Sequence, residues 1–172
     1  MEELFNAVWN VLIETTPKFN LERYDCVEKT TNAVNRVLYP AIKRKLSLDL
    51  IREKLQKVDA VFLSNGTPLL AVEHENISDS FVAEEIYKLL RLKVCKYNIG
   101  ITYETNPILR ELILNSTSFL YRKLQSNLKI MIILGSSPRS PKEPYIRWQA
   151  YDVNSERISL EKECSIIELT RT

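Results

Sequence analysis

Glycine, histidine and cysteine are all scarce in this chain of 172 residues, which has three glycines, one histidine and three cysteines. Three glycines leave no glycine-rich loop to cradle a phosphate, so neither a P-loop nor the dinucleotide fingerprint is present. One histidine, His74, and the scattered Cys26, Cys95 and Cys164 offer no zinc-ligand spacing and no Ser-His-Asp pattern. An odd number of dispersed cysteines reads as buried thiols in a reducing compartment. Long apolar runs are missing too, and the acidic start Met1-Glu2-Glu3 lacks the basic region of a leader. A soluble, cytoplasmic protein with no membrane partner is therefore expected. Nor does either sign of charge dominate: 24 Lys and Arg against 22 Asp and Glu leave +2. That total selects no polyanionic partner, although a local basic face still can.

Hydrophobic content of 45% and charged content of 27% are ordinary for a globular domain, and the length fits one domain, 1–172, with a substantial core. The chain is organised around residues 58–76. Val58 to Leu63 and Pro68 to Asn76 read as two strands, with Asn65-Gly66 between them as the strongest short-range hairpin signal. Asp59, Glu73 and Glu75 sit in these otherwise apolar runs. Acids are poor strand formers and costly to bury unless paired, protonated or bound to a cation. Such a local conflict marks a candidate site.

Strand parity decides whether the acids can meet, because alternate residues share a face. Glu73 and Glu75 share one face of the second strand, and His74 takes the other. A regular two-residue turn at Asn65-Gly66 sets Asp59 opposite Val72, on the wrong face. A three-residue Ser64-Asn65-Gly66 loop, or a bulge near Asp59, brings all three acids together. The sequence allows both outcomes. His74 is expected to be structural or partly exposed.

Around the hairpin, Leu4, Phe5, Val8, Trp9, Leu12 and Ile13 predict a first helix ending before Pro17. Asn20 is a candidate cap for a second helix, which Pro40 should kink or divide and which Lys43-Arg44-Lys45 close. Glu28 lies on the edge of its apolar stripe. Residues 51–55 favour a short strand. A helix follows from about Ser78, with Val82, Ile86, Leu89 or Leu90 and Val94 inward, and with Glu84, Lys88 and Arg91 outward. Asn98 to Glu104 is a strand reached by a crossover, so it should run parallel to a neighbour. Asn106-Pro107 caps a helix to Leu124, with apolar residues at Ile108, Leu109, Leu112, Ile113, Leu120 and Leu124. Strands at 128–134 and 145–153 flank a loop containing Arg139 and Lys142, and 157–169 is either strand or helix. The fold class is α/β: a mixed central sheet flanked by helices.

The order helix, strand, Asp-bearing strand, Glu-x-x strand, helix, strand resembles the core of the PD-(D/E)XK, or restriction-endonuclease-like, nuclease superfamily. The motif here is Val58-Asp59 followed by Glu73-His74-Glu75. The resemblance covers about 21–104, in αβββαβ order, and leaves 105–172 as C-terminal additions. Val58 stands in place of the family's Pro, and Glu75 in place of its usual catalytic Lys. Some restriction endonucleases of the superfamily have Glu there. The resemblance implies a nuclease hydrolysing DNA phosphodiester bonds with Mg²⁺ or Mn²⁺, in repair, recombination or restriction. Asp59, Glu73 and the backbone carbonyl of His74 would hold the metal. Glu75 would complete that site or act as general base, and Lys88 would reach back as a relocated lysine, ahead of Lys57. Lys43, Arg44, Lys45, Arg91, Arg139 and Lys142 are the candidate phosphate contacts. Cutting both strands of a duplex calls for two sites, which points to a homodimer. Glu75 keeps a second hypothesis open: an inactive nuclease-like module that binds nucleic acid or a protein partner.

Overall fold

The computed structural model of the protein describes residues 2–18, 31–52, 57–76, 78–104, 106–136, 145–154 and 156–167. Seven strands form one sheet in chain order: β1 (Asp49–Ile51), β2 (Ala60–Ser64), β3 (Thr67–His74), β4 (Tyr97–Glu104), β5 (Lys129–Ser136), β6 (Tyr145–Val153) and β7 (Ile158–Ile167). Among the described residues four helices flank it: α1 (Glu2–Thr15), α2 (31–46), α3 (78–91) and α4 (Pro107–Lys123). β1, β2 and β3 form an antiparallel meander. β3, β4 and β5 run parallel, joined by α3 and α4 as crossovers, as the strand-helix-strand spacing predicts. β5, β6 and β7 close the sheet as a second antiparallel meander, which settles 158–167 as strand.

Alternation along the strands divides the apolar side chains between two cores. Ala60, Phe62, Leu70, Val72, Ile101 and Trp148 pack with Val8 and Leu12 of α1 and Leu38 and Ile42 of α2. Val61, Ala71, Ile130 and Ile132 pack with Phe81 and Leu89 of α3 and Ile113 of α4. The result is a three-layer arrangement, helices over each face of the sheet. No helix among the described residues is long and apolar enough to cross a membrane.

Helix α1 ends at Thr15, before Pro17, as expected. The first part of the predicted second helix, with Asn20, Cys26 and Glu28, lies outside the described residues. Within 31–46, Pro40 neither divides nor ends the helix. Instead Val34–Leu38 forms one wide π turn, in which the Tyr39 N–H bonds to the Val34 carbonyl. Proline has no N–H to offer the turn behind it. The Asn35 carbonyl is taken by the Arg52 guanidinium instead. Ser47, at φ 53°, then ends the helix in the left-handed region. The strand expected at 51–55 starts earlier, at Asp49.

Helix α4 is capped as predicted, with Asn106 Oδ1 accepting the Leu109 N–H at 2.9 Å and Pro107 in the first turn. Its buried face differs from the apolar tally. Ile113, Leu114, Thr117, Ser118 and Tyr121 face inward, whereas Ile108, Leu112 and Phe119 are exposed. Burial of Thr117 and Ser118 is inexpensive because their hydroxyls donate to the carbonyls of Ile113 and Asn154 at 2.8 and 3.1 Å. Val94, expected inward, lies past the end of α3 and is exposed.

Candidate active site

The β2–β3 turn decides whether the acids meet. Asn65 and Gly66 both have positive φ, 50° and 77°, and Ser64 pairs with Thr67. This is the two-residue hairpin turn that Asn-Gly favours. Alone it would leave Asp59 opposite Val72. The register shifts once, however, between Phe62 and Leu63: Leu63 pairs with Pro68 and Phe62 with Leu70. Leu69 is thus an extra residue, a bulge beside Pro68. Beyond the bulge Ala60 pairs with Val72, so the next position sets Asp59 against Glu73.

The two acids are tied through the backbone. The Asp59 N–H donates to Glu73 Oε2 at 3.0 Å, and the His74 N–H donates to Asp59 Oδ2 at 2.9 Å. The buried Tyr39 hydroxyl donates to the same Asp59 oxygen at 3.4 Å. Burial and the nearby Asp59 raise the Tyr39 pKa well above its ordinary value, so the hydroxyl keeps its proton. Burial also raises Asp59, against the lowering effect of the His74 amide.

Helix α3 delivers the other side of the cluster. Phe81 is fully buried over Gly100 of β4, where an added Cβ would lie 2.5 Å from the Phe81 ring. From this anchor α3 opens into a π turn over Phe81–Glu85, with the Ile86 N–H on the Phe81 carbonyl. Glu85, the last residue of that turn, is buried beside the Glu73 carboxyl. Lys88 Nζ bonds to Glu85 Oε2 and lies 3.5 Å from Glu73 Oε1. Burial and the Glu85 hydrogen bond raise Glu73 well above the carboxylate range. Burial acts the same way on Glu85, but the Glu73 hydrogen bond and Lys88 outweigh it and hold Glu85 low. Burial opposes charge on Lys88, but its two carboxyl partners raise its pKa and keep it an ammonium.

Asp59, Glu73 and Lys88 are therefore brought together. The three acids Asp59, Glu73 and Glu75 do not form a cation cage: among the described residues no three His, Cys, Asp or Glu converge closely enough to hold a metal ion. Glu75 lies one residue beyond β3 and is half-buried, its N–H continuing the ladder to the Ile101 carbonyl at 3.0 Å. The acid that reaches Glu73 is Glu85. His74 points to the opposite face, as parity predicts. It is buried edge-on to Tyr103, with Nε2 3.1 Å from the Tyr103 hydroxyl, and burial lowers its pKa to about 4.

Lys88 does not make the expected outward pair with Glu84, because the π turn rotates Glu85 into its reach. Lys43, Arg44 and Lys45 are exposed at the end of α2, where Arg44 and Lys45 border a groove with Glu14 of α1. Arg91 is exposed and folds over the Tyr87 ring at 5.2 Å. Lys57 is exposed. Arg139 and Lys142 lie outside the described residues. Tyr39 and Glu85 are the members of the cluster that sequence reading missed. Each borders a π turn, and regular helical spacing places them differently.

No family model, curated protein or solved structure matches the chain.

Proposed function

We propose that the protein is a metal-dependent nuclease that hydrolyses phosphodiester bonds in DNA, with Asp59, Glu73 and Lys88 at its centre. The observation that carries this reading is their meeting, with the Asp59 N–H 3.0 Å from the Glu73 carboxylate and Lys88 Nζ 3.5 Å from it. The run α2, β1, β2, β3, α3, β4 supports it, since it repeats the αβββαβ order of the nuclease superfamily.

The donor set suits Mg²⁺ or Mn²⁺. Mg²⁺ is usually held by one or two carboxylates plus waters, so Asp59 and a deprotonated Glu73 would hold it, with the His74 carbonyl as a further oxygen. Both acids have raised pKa values from burial, a strain that a cation relieves. Bound there, the metal would polarise a phosphate oxygen and acidify a water. The chain's own groups do the rest. The His74 amide and Tyr39 hydroxyl orient Asp59. Glu85 holds the Lys88 ammonium beside Glu73, where it can offset charge on the phosphate or donate a proton. Glu75 is the candidate general base. The exposed Lys43, Arg44, Lys45 and Arg91 are candidates for backbone contact, which makes binding fall with salt.

A second reading rests on the self-contained Glu73–Glu85–Lys88 network: an inactive module of the same fold that binds nucleic acid or a protein. Supercoiled plasmid, single-stranded DNA and a branched junction, each with Mg²⁺ or Mn²⁺, separate the two readings. Cutting by the wild-type chain that is lost in both Asp59→Asn and Glu73→Gln is expected. No cutting on any substrate, together with no Mn²⁺ binding by titration, would overturn the nuclease reading in favour of the module.

A further inference from the structure

Helix α4 carries an apolar stripe that the sheet does not use. Ile108, Leu112 and Phe119 are 80%, 49% and 56% exposed, and with Asn115, also exposed, they recur at i, i+4, i+7 and i+11. That spacing returns to one line on a helix after about three turns. Single exposed apolar residues are common, but an aligned set of three on one helix is a candidate docking face.

Its charged border identifies the partner. Glu111 and Arg122 are exposed and lie on the same edge of the stripe, near opposite ends of α4. A two-fold axis that pairs a helix antiparallel with its own copy sets each edge against the same edge of the partner, reversed in direction. With the axis midway between Glu111 and Arg122, each Glu111 meets the partner copy's equivalent of Arg122, twice over by symmetry. Leu112 and Phe119 then cross the interface within about 3 Å of each other along the helix axis, at 1.5 Å per residue. Lys123 lies 6.0 Å over the Phe119 ring and borders the opposite edge.

We propose that this chain forms a two-fold homodimer through antiparallel α4 helices, with a Leu112–Phe119 seam flanked by two Glu111–Arg122 ion pairs and Ile108 at each outer end. Such an interface is isologous and self-complementary. The seam contains no residue of the Asp59 cluster, so its test is separate from that of the nuclease reading.

Sedimentation equilibrium on the full chain tests it, with far-UV circular dichroism confirming that each variant is folded. Wild type should be dimeric, and Phe119→Glu monomeric with an unchanged spectrum. Glu111→Arg and Arg122→Glu should each weaken dimerisation about tenfold, as like charges then face each other twice. The double variant should restore it. A wild-type monomer at every concentration would overturn the proposal and leave the stripe to a different protein. A dimer indifferent to Phe119→Glu would place the interface elsewhere. Single reversals that weaken the dimer without rescue in the double variant would overturn the antiparallel pairing.

Discussion

Lys88 Nζ stands 3.5 Å from Glu73 Oε1, although the two residues belong to different elements and a regular helix would turn Lys88 towards solvent. The contact depends on the π turn at Phe81–Glu85 and on Phe81 seated over Gly100. It makes Lys88 the only cation among the described residues ion-paired to the buried acid pair. Lys88→Met should therefore destabilise the fold by about 1–2 kcal/mol. That is less than breaking a fully buried pair, because the Lys88 side chain is 28% exposed. Urea denaturation at pH 7 measures it. Adding Glu85→Gln should recover part of the loss.

Glu73→Gln should change the pH dependence of stability in a definite direction. Glu73 has a folded pKa above its unfolded value, mainly from burial and then from the Glu85 hydrogen bond. Its contribution is full below the unfolded value and is lost as pH rises through the folded one. Glutamine keeps an acceptor for the Asp59 N–H and a donor for Glu85 but does not titrate. The variant should gain on wild type as pH climbs from 5 to 9 in thermal melts, while losing any metal-dependent cutting.

His74 gives the opposite slope. Burial depresses its pKa to about 4 from an ordinary 6.5, so the neutral ring stabilises the fold above the unfolded value. That stability drains away as pH falls from about 6.5 towards 4, by about 3 kcal/mol in all. His74→Gln, which retains a partner for the Tyr103 hydroxyl, should flatten the acid limb of the stability curve. Equal acid limbs for both proteins would show that His74 is not the titrating group.

Gly100→Ala should cost about 1–3 kcal/mol, the range for overpacking a closed core. The new methyl meets the Phe81 ring at 2.5 Å, so the first turn of α3 must lift. Because Glu85 and Lys88 ride on that helix, the same variant should lose cutting more than its stability loss alone predicts. Comparing activity with folded fraction at one temperature checks this.

Much of this arrangement is legible in the residues themselves. Asn65-Gly66 specifies a tight turn because both positions tolerate positive φ, and Asn106-Pro107 starts α4 because both suit a helix entry. Apolar periodicity places α1, β4, β5 and β6, and parity alone sends His74 to the face opposite Glu73. These features are local, decided by a residue and its near neighbours. The remainder needed long-range packing. Whether Asp59 meets Glu73 or Val72 rests on the bulge at Leu69, which parity allows but does not require. Ile108 and Leu112 are exposed because α4 turns its small hydroxyls towards the sheet. Glu85 enters the cluster because α3 widens by one residue after Phe81 docks on Gly100. A bulge and a π turn each insert one residue, and one residue is enough to move a side chain to another face. The pattern of residue types determined which groups were available to form a site. Only the β2–β3 register and the packing of α3 against the sheet decided which of them share it.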